Sequence, residues 1–369
     1  VTEVLALAVP DKPGGLAEYG IFYDKYKMKE GLRKQFRQVL EIPRVHYKGN
    51  VIIGRQGDLT SKDLREIGFH AILVTAGAQG TKWLGMPGET LEGVYHAKDL
   101  VYHYNKLPPF SQREYLIGKR VALIGIGNVS MDIARWLIRD LKVDEVITIA
   151  RRGPAEVKFT KKEVEAIACN LDLEKLDAEL ERCRPVMEAV GQNVAAAREY
   201  ILSGLPKALE PVSATRLVLN FLASPTRILG DADGRVSGLE LEDTTLVMNG
   251  TEIRSHNLGT RQVIPVDTVV FCIGDRVDEN FCLPLHGSGY AKNPTPRFPV
   301  EGLSYEAYDH QEQRSLESVF IAGWSREASS GLVGIARKDG ENGAQAVLQY
   351  LQTTSPKKPS ADVLAELEL

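Results

Sequence analysis

Cysteine is scarce, and the four present, Cys169, Cys183, Cys272 and Cys282, form no C-x-x-C and have no partner at metal-ligand spacing. That scatter argues against a chain-borne iron–sulfur cluster or a dithiol redox centre. Cys272 lies within the apolar run Thr268 to Ile273 and reads as a small core hydrophobe rather than a reactive thiol. The seven histidines never pair at i, i+4, and neither G-x-S-x-G nor H-E-x-x-H occurs, so hydrolase and metalloenzyme readings have no support and no metal site is expected. No apolar run approaches membrane-span length and no signal peptide is visible, which makes the cytoplasm the expected compartment. Charge of one sign is also lacking: a formal net charge of −4 leaves no global footprint for nucleic acid or a membrane surface. Repeats of solenoid type are absent.

What is present is a chain of 369 residues, 43% hydrophobic and 25% charged, an ordinary globular composition. Its length exceeds what one core usually serves, so two domains are expected. The most informative stretch is Val121 to Ala134, Val-Ala-Leu-Ile-Gly-Ile-Gly-Asn-Val-Ser-Met-Asp-Ile-Ala, followed one strand later by Arg151-Arg152. It reads as an apolar strand, a glycine turn and a helix (Ser130 to Arg139), then a second strand (Glu145 to Ala150) in βαβ order. Gly125 permits the tight turn, and Gly127 lets backbone N–H groups approach a pyrophosphate at the helix N-terminus. Ser130 takes the place of the fingerprint's third glycine or alanine. Where an acid would bind a free ribose 2′-hydroxyl, Arg151 and Arg152 match a 2′-phosphate, so the dinucleotide expected is NADP. Strand-turn-helix glycines also occur for packing, and an arginine pair also occurs as a solvated loop.

Two further apolar strands end in glycine: Phe69 to Thr75 before Ala76-Gly77-Ala78, and Asp267 to Ile273 before Gly274-Asp275. Glycine there allows close approach to a ligand, although a plain turn explains it as cheaply. Two such closures imply two dinucleotide-binding units in an α/β fold. Between them, Asp172 to Leu202 has helical periodicity. Near the end, a strand Val319 to Ala322 delivers Gly323-Trp324, a helix runs from about Ile335 to Leu351, and Thr353 to Ser360 reads as a linker.

Taken with Pro13-Gly14-Gly15-Leu16-Ala17-Glu18-Tyr19-Gly20-Ile21, Gly127-Asn128-Val129-Ser130-Met131-Asp132, Arg151-Arg152-Gly153-Pro154 with Phe159-Thr160 and Glu163, and Gly331 to Gly334, the chain resembles the adrenodoxin reductase and ferredoxin–NADP reductase family, more distantly the small subunit of glutamate synthase. The resemblance implies two Rossmann-like domains, an NADP domain (106–279) inserted into an FAD domain (1–105 and 280–352), with a tail (353–369). By position it implies that Gly125, Gly127, Asn128 and Val129 hold the NADP pyrophosphate, Arg151 and Arg152 the 2′-phosphate, and Glu163 a polar edge. It further implies that Gly14, Gly15, Leu16, Gly20, Ile21, Ala76, Gly77, Gly323, Trp324, Gly331, Leu332, Val333 and Gly334 serve the FAD. Trp324 and Gly331 would lie near the nicotinamide and flavin, with the last helix aimed at the flavin N1–O2 edge, where hydride arriving at N5 leaves negative charge. No side chain need transfer a proton, because the flavin carries the chemistry. Taken alone, a tryptophan after Ala-Gly at a strand end is more often a packing residue than a cofactor contact, and it is the family pattern that reverses this for Trp324.

Two departures stand out. The family's first strand, with its G-x-G-x-x-G, is not in the sequence: the chain opens on what reads as the following strand, Val4 to Val9, with Ala8 where an acid for the FAD ribose is expected. The expectation is therefore an N-terminally incomplete FAD domain, with a misplaced start or a fragment behind Val1. The inserted helical segment also offers few cations, Arg182 and Arg184 beside Glu188 and Glu199, so steering of an acidic partner there is only suggested. The function expected is NADPH-dependent electron exchange with ferredoxin or an iron–sulfur partner subunit. The alternatives are the electron-input subunit of a larger iron–sulfur enzyme and a flavin-free NADP-binding protein.

Overall fold

The computed structural model describes residues 3–8, 13–328 and 333–354. The chain divides into two compact units: a split unit, Val1–Lys82 with Gly274–Leu369, and an inserted unit, Trp83–Ile273.

The split unit opens with β1 (Val4–Leu7), α1 (Leu16–Tyr19), α2 (Tyr26–Leu40), β2 (Val45–Lys48), α3 (Ser61–Glu66), β3 (Ile72–Val74) and β4 (Gly80–Thr81). β1 and β2 pair in parallel, Val4 opposite Val45. α3 is started by a capping box: Asp63 N–H donates to Thr60 Oγ1 at 3.1 Å, and Thr60 N–H donates to the Asp63 carboxylate at 2.7 Å.

The inserted unit runs β5 (Val94–His96), α4 (Ala97–Tyr104), β6 (Arg120–Ile124), α5 (Asn128–Trp136), β7 (Glu145–Ile149), α6 (Lys161–Val164), α7 (Leu173–Ala189), α8 (Val194–Leu202), β8 (Arg216–Asn220), β9 (Ala223–Gly230), β10 (Val236–Asn249), β11 (Glu252–Asn257), β12 (Gln262–Ile264) and β13 (Thr268–Phe271). Five strands form a parallel sheet in the order β5-β13-β6-β7-β8, and β9, β11 and β12 pair antiparallel to β10 in a second sheet. Strands covered on both faces must be apolar throughout, and Val121, Ala122, Leu123, Val269, Val270 and Phe271 are fully buried. Removing each large side chain among them from water stabilises the unit by about 1.5–3 kcal/mol.

The chain then returns to the split unit with β14 (Asp275–Arg276), which pairs with β4, a short hairpin of β15 (Leu285–His286) and β16 (Gly289–Tyr290), then β17 (Glu306–Asp309), β18 (Arg314–Ile321) and α9 (Val333–Thr353). β18 lies between antiparallel β17 and parallel β3, with Val319 opposite Ile72. α9 packs on this sheet at Gly343, where a Cβ would fall 2.5 Å from that of Ala322. Tyr305, Phe320, Ala322, Ala346 and Tyr350 form the core between them.

The α/β class read from the sequence holds. The inserted unit begins at Trp83 and ends at Ile273, rather than running from 106 to 279, because β5 joins the sheet of β6 through β13. The helix expected over Ser130 to Arg139 begins at Asn128 and continues as a π turn, Leu137–Leu141, closed by Lys142 at φ 52°. Thr353 is the last residue of α9 rather than the first of a linker. Val9 and residues 355–369 lie outside the described residues.

Candidate functional site

In the inserted unit, β6 feeds Gly125, Ile126 and Gly127 and then α5. Gly125 sits at φ 117°, its N–H donates to Ile149 O at 2.9 Å, and a Cβ there would fall 2.5 Å from the carbonyl oxygen of Cys272. Packing between the ends of β7 and β13 alone therefore requires glycine at this position. Gly127 differs. It is the N-cap of α5, supplies no capping side chain, and the space a Cβ would take is open. The first-turn amides of α5 and the positive end of its dipole are thus left for an anion. Val129, beside them, is 46% exposed, and Ser130 is fully buried.

Asn128 ties this turn to a second segment. Its Oδ1 accepts the Thr160 N–H at 2.7 Å, while Lys158 N–H donates to Ile126 O at 3.1 Å. Thr160 precedes α6, whose first turn contains half-buried Glu163. Gly127, Asn128 and the Phe159 to Glu163 segment are therefore held together, with the Asn128 carboxamide acting as a strut.

Arg151 and Arg152 follow β7, and their backbones are anchored: Arg151 O accepts Thr244 Oγ1 at 2.8 Å and Arg152 O accepts Leu222 N–H at 3.2 Å. Their side chains are not equivalent. Arg152 pairs with Glu156 at 3.0 Å, whereas the exposed Arg151 guanidinium has no partner among the described residues. One cation is partly compensated and one is available. Cys272, read from the sequence as a core hydrophobe, is half-buried just after β13, and desolvation pushes its thiol up to about 12, which keeps it protonated.

In the split unit, the glycines of the first motif separate into two kinds. A Cβ on Gly14 would lie 2.9 Å from the Phe36 ring, and one on Gly20 would lie 2.7 Å from Leu16 Cδ2, so both serve packing around α1. Gly15, at φ 49°, caps α1 and faces open space. Leu16 O accepts the N–H groups of both Gly20 and Ile21, closing the turn. After β3, Ala76 is exposed and Gly77 adopts φ 74°, and the Gly77 N–H donates to Ser325 Oγ at 2.9 Å. That bond joins the loop after β3 to the 3-10 turn Gly323–Ser325, in which Trp324 is half-buried.

A network that the sequence reading missed holds this turn. Asp339 of α9 accepts the Gly323 N–H at 2.6 Å, Arg326 Nε at 2.9 Å, Arg326 Nη2 at 2.6 Å and Tyr305 O–H at 3.1 Å. The Arg326 guanidinium also lies over the Tyr305 ring, 4.8 Å from its centroid. Ser325 and Arg326 directly follow Trp324 in the sequence, but nothing in the spacing marks Asp339 as their partner. Gly331 and Leu332 lie outside the described residues, as does the side chain of Val333; Gly334 is exposed in the first turn of α9. Among the described residues, no group of three His, Cys, Asp or Glu side chains could hold a metal ion, and no helix is long and apolar enough to cross a membrane.

No protein-family profile matches the chain. Individual proteins do. The NADPH-ferredoxin reductase FprA of Mycobacterium leprae is 29% identical over 371 residues, covering 92% of this chain and 75% of its own length. The mitochondrial NADPH:adrenodoxin oxidoreductase of Bos taurus is 28% identical over 398 residues, covering 96% of this chain and 76% of its own. The solved structure of Mycobacterium tuberculosis FprA in complex with NADPH superposes with a TM-score of 0.76 at 26% identity, covering 99% of this chain and 82% of that one. Along nearly its whole length, and in its two-unit α/β fold, the chain is thus similar to NADPH-ferredoxin reductases and NADPH:adrenodoxin oxidoreductases.

Proposed function

We propose that this chain is an NADPH-dependent flavoprotein oxidoreductase that passes electrons from NADPH through FAD to a ferredoxin or another iron–sulfur acceptor. The observation that carries the reading is the uncapped, glycine-started N-terminus of α5 with Arg151, unpartnered among the described residues, at the end of the neighbouring strand β7. That donor set suits a pyrophosphate together with a 2′-phosphate. It agrees with the NADPH in the names of the relatives.

In this reading the inserted unit binds NADP. The amides of Gly127, Asn128 and Val129 take the pyrophosphate, Arg151 and Arg152 take the 2′-phosphate, and Glu163 meets a polar edge. The split unit takes FAD. Gly15, Gly77, Gly323 and Gly334 fit a flat ring, because the space their side chains would fill is open or bounded at no less than 3.6 Å. Gly14, Leu16, Gly20, Ile21 and Ala76 shape the backbone around them. Trp324 and the Gly331 to Gly334 motif complete the flavin side, and the amides that open α9 favour negative charge on the reduced ring. Bound FAD supplies the conversion of hydride transfer into single-electron delivery. The Asp339 network keeps the Gly323–Ser325 turn fixed, and Ser325 keeps Gly77 against it. We also propose a cytoplasmic setting, which cell fractionation tests.

The decisive experiment is the visible spectrum of the purified chain, followed by anaerobic NADPH. A flavin band that bleaches supports the reading, and a colourless protein that binds NADPH favours a flavin-free nucleotide-binding role.

A further inference from the structure

α2 has a charge that the rest of the chain does not share. Tyr26–Leu40 contains five cations, Lys27, Lys29, Arg33, Lys34 and Arg37, against one acid, Glu30, a net of +4 in a chain of −4. Arg33 is bound by Glu18 and Glu30, and Lys29 is buried. Exposed Lys27, Lys34 and Arg37 have no ion-pair partner among the described residues. Their spacing of seven and three residues puts them on one helical stripe facing solvent.

Gly31 lies in the same stripe, in the interior of the helix, where glycine is the poorest choice after proline. No packing calls for it, since nothing lies within 4 Å of where its Cβ would be. It lines an open surface notch together with Tyr26, Lys27, Glu30, Lys34 and Arg37. Tyr26 at 65% and Met28 at 49% exposure add apolar surface beside it.

The inserted helices contrast with this. On α7, Arg182 is bound by Glu179 and Arg184 by Glu181 and Glu188, and on α8 Arg198 is bound by Asp177. α7 has three cations, Lys175, Arg182 and Arg184, against five acids, Glu174, Asp177, Glu179, Glu181 and Glu188, a net of −2. The surface to which the sequence reading looked for a partner is therefore neutralised.

We propose that the Lys27-Gly31-Lys34-Arg37 stripe of α2 is the docking surface for an acidic iron–sulfur protein, the electron acceptor of the proposed function, on which this inference rests. Charge complementarity argues for such an occupant, with exposed cations raising the encounter rate and the Gly31 notch admitting a close contact. The location argues the same way. α2 packs against the flavin-side turn, with Phe36 at Gly14 and Arg33 clamping Glu18 of α1 through two hydrogen bonds, so a protein on α2 lies about one helix diameter from that turn.

The test uses the cofactor-loaded chain, a purified acidic [2Fe–2S] ferredoxin, and ferricyanide as a small acceptor that needs no docking. Lys27→Glu, Lys34→Glu and Arg37→Glu together should leave NADPH-to-ferricyanide turnover unchanged. They should lower kcat/KM for ferredoxin at low salt by about tenfold or more, mainly through KM, and flatten its dependence on ionic strength. Gly31→Leu, which fills the notch without changing charge, should lower it severalfold. Titration calorimetry with oxidised ferredoxin should show the same loss without turnover. Ferredoxin kinetics and binding within twofold of the parent would overturn the docking surface while leaving the oxidoreductase reading intact. So would unchanged ferredoxin kinetics with loss of binding to phosphatidylserine vesicles, which would assign the stripe to membranes. Absence of NADPH oxidation with ferricyanide in the parent would instead defeat the functional reading, and this proposal with it.

Discussion

Asn128 Oδ1 accepts the Thr160 backbone N–H at 2.7 Å, so the residue that opens α5 also fixes the segment leading into α6. Asn128→Ala should remove one hydrogen bond and free Phe159 to Glu163. We expect NADPH affinity to fall about five- to tenfold, equivalent to roughly 1–1.5 kcal/mol, as read by fluorescence titration. Asn128→Asp keeps the acceptor and places negative charge at a helix N-terminus. It should preserve Tm while still weakening NADPH, because in the proposed site the added charge would face the phosphates.

The two arginines after β7 should separate in a single-mutant comparison. Arg151 has no compensating partner among the described residues, so Arg151→Ala should weaken NADPH about 10- to 100-fold and NADH within about threefold. Arg152→Ala should cost less, because Glu156 already shares that charge. Equal losses for NADPH and NADH in the double variant would refute a 2′-phosphate site. Dissociation constants for both nucleotides decide the matter.

What the sequence disclosed and what it hid have physical explanations. The β6-turn-α5 element was legible because apolar strand, glycine turn and helix are local patterns, and Gly125 and Gly127 appear in sequence order. Their separate roles were not legible: the carbonyl of Cys272 that forbids a Cβ on Gly125 arrives from a strand nearly 150 residues away. β5 was missed because its three residues, Val94–His96, are too short to show a period, and that miss displaced the unit boundary. The antiparallel sheet around β10 was missed as well, since its strand is bulged and its burial does not alternate cleanly. The candidate FAD residues were identified through family resemblance, whereas Ser325, Arg326 and Asp339, which fix two of those turns, have no local signature.

Acid should expose a different kind of support. Asp267, at the entrance to β13, accepts the Arg120 N–H at 2.9 Å and Arg120 Nη2 at 3.1 Å. Burial pushes its carboxyl up, but the side-chain and backbone hydrogen bonds from Arg120 together outweigh this and leave it below the usual carboxylate value. A carboxyl depressed in the folded state contributes stability that is present above its unfolded value, about 3.9, and lost as pH falls through the folded value. Asp267→Asn should therefore lower Tm at pH 7, and the gap from the parent should shrink at pH 3. A gap that stays constant with pH would exclude this linkage.

Asp339 bears the largest expected cost. Its carboxylate and the Arg326 guanidinium are 12% and 8% exposed, and it also holds the Gly323 N–H and Tyr305 O–H. Asp339→Ala would leave Arg326 buried and without its main counter-ion, a change that typically costs about 3–5 kcal/mol. The Asp339→Ala, Arg326→Leu double variant removes both charges and should recover much of that stability, since the unpaired cation rather than the lost attraction sets the penalty. The recovery should not extend to the turn. Gly323 would still lack its acceptor, so flavin retention after gel filtration should remain lower than in the parent even where Tm is restored. If flavin content instead tracked Tm across all three variants, the network would be structural support alone, and the assignment of the Gly323–Ser325 turn to the cofactor would lose its basis.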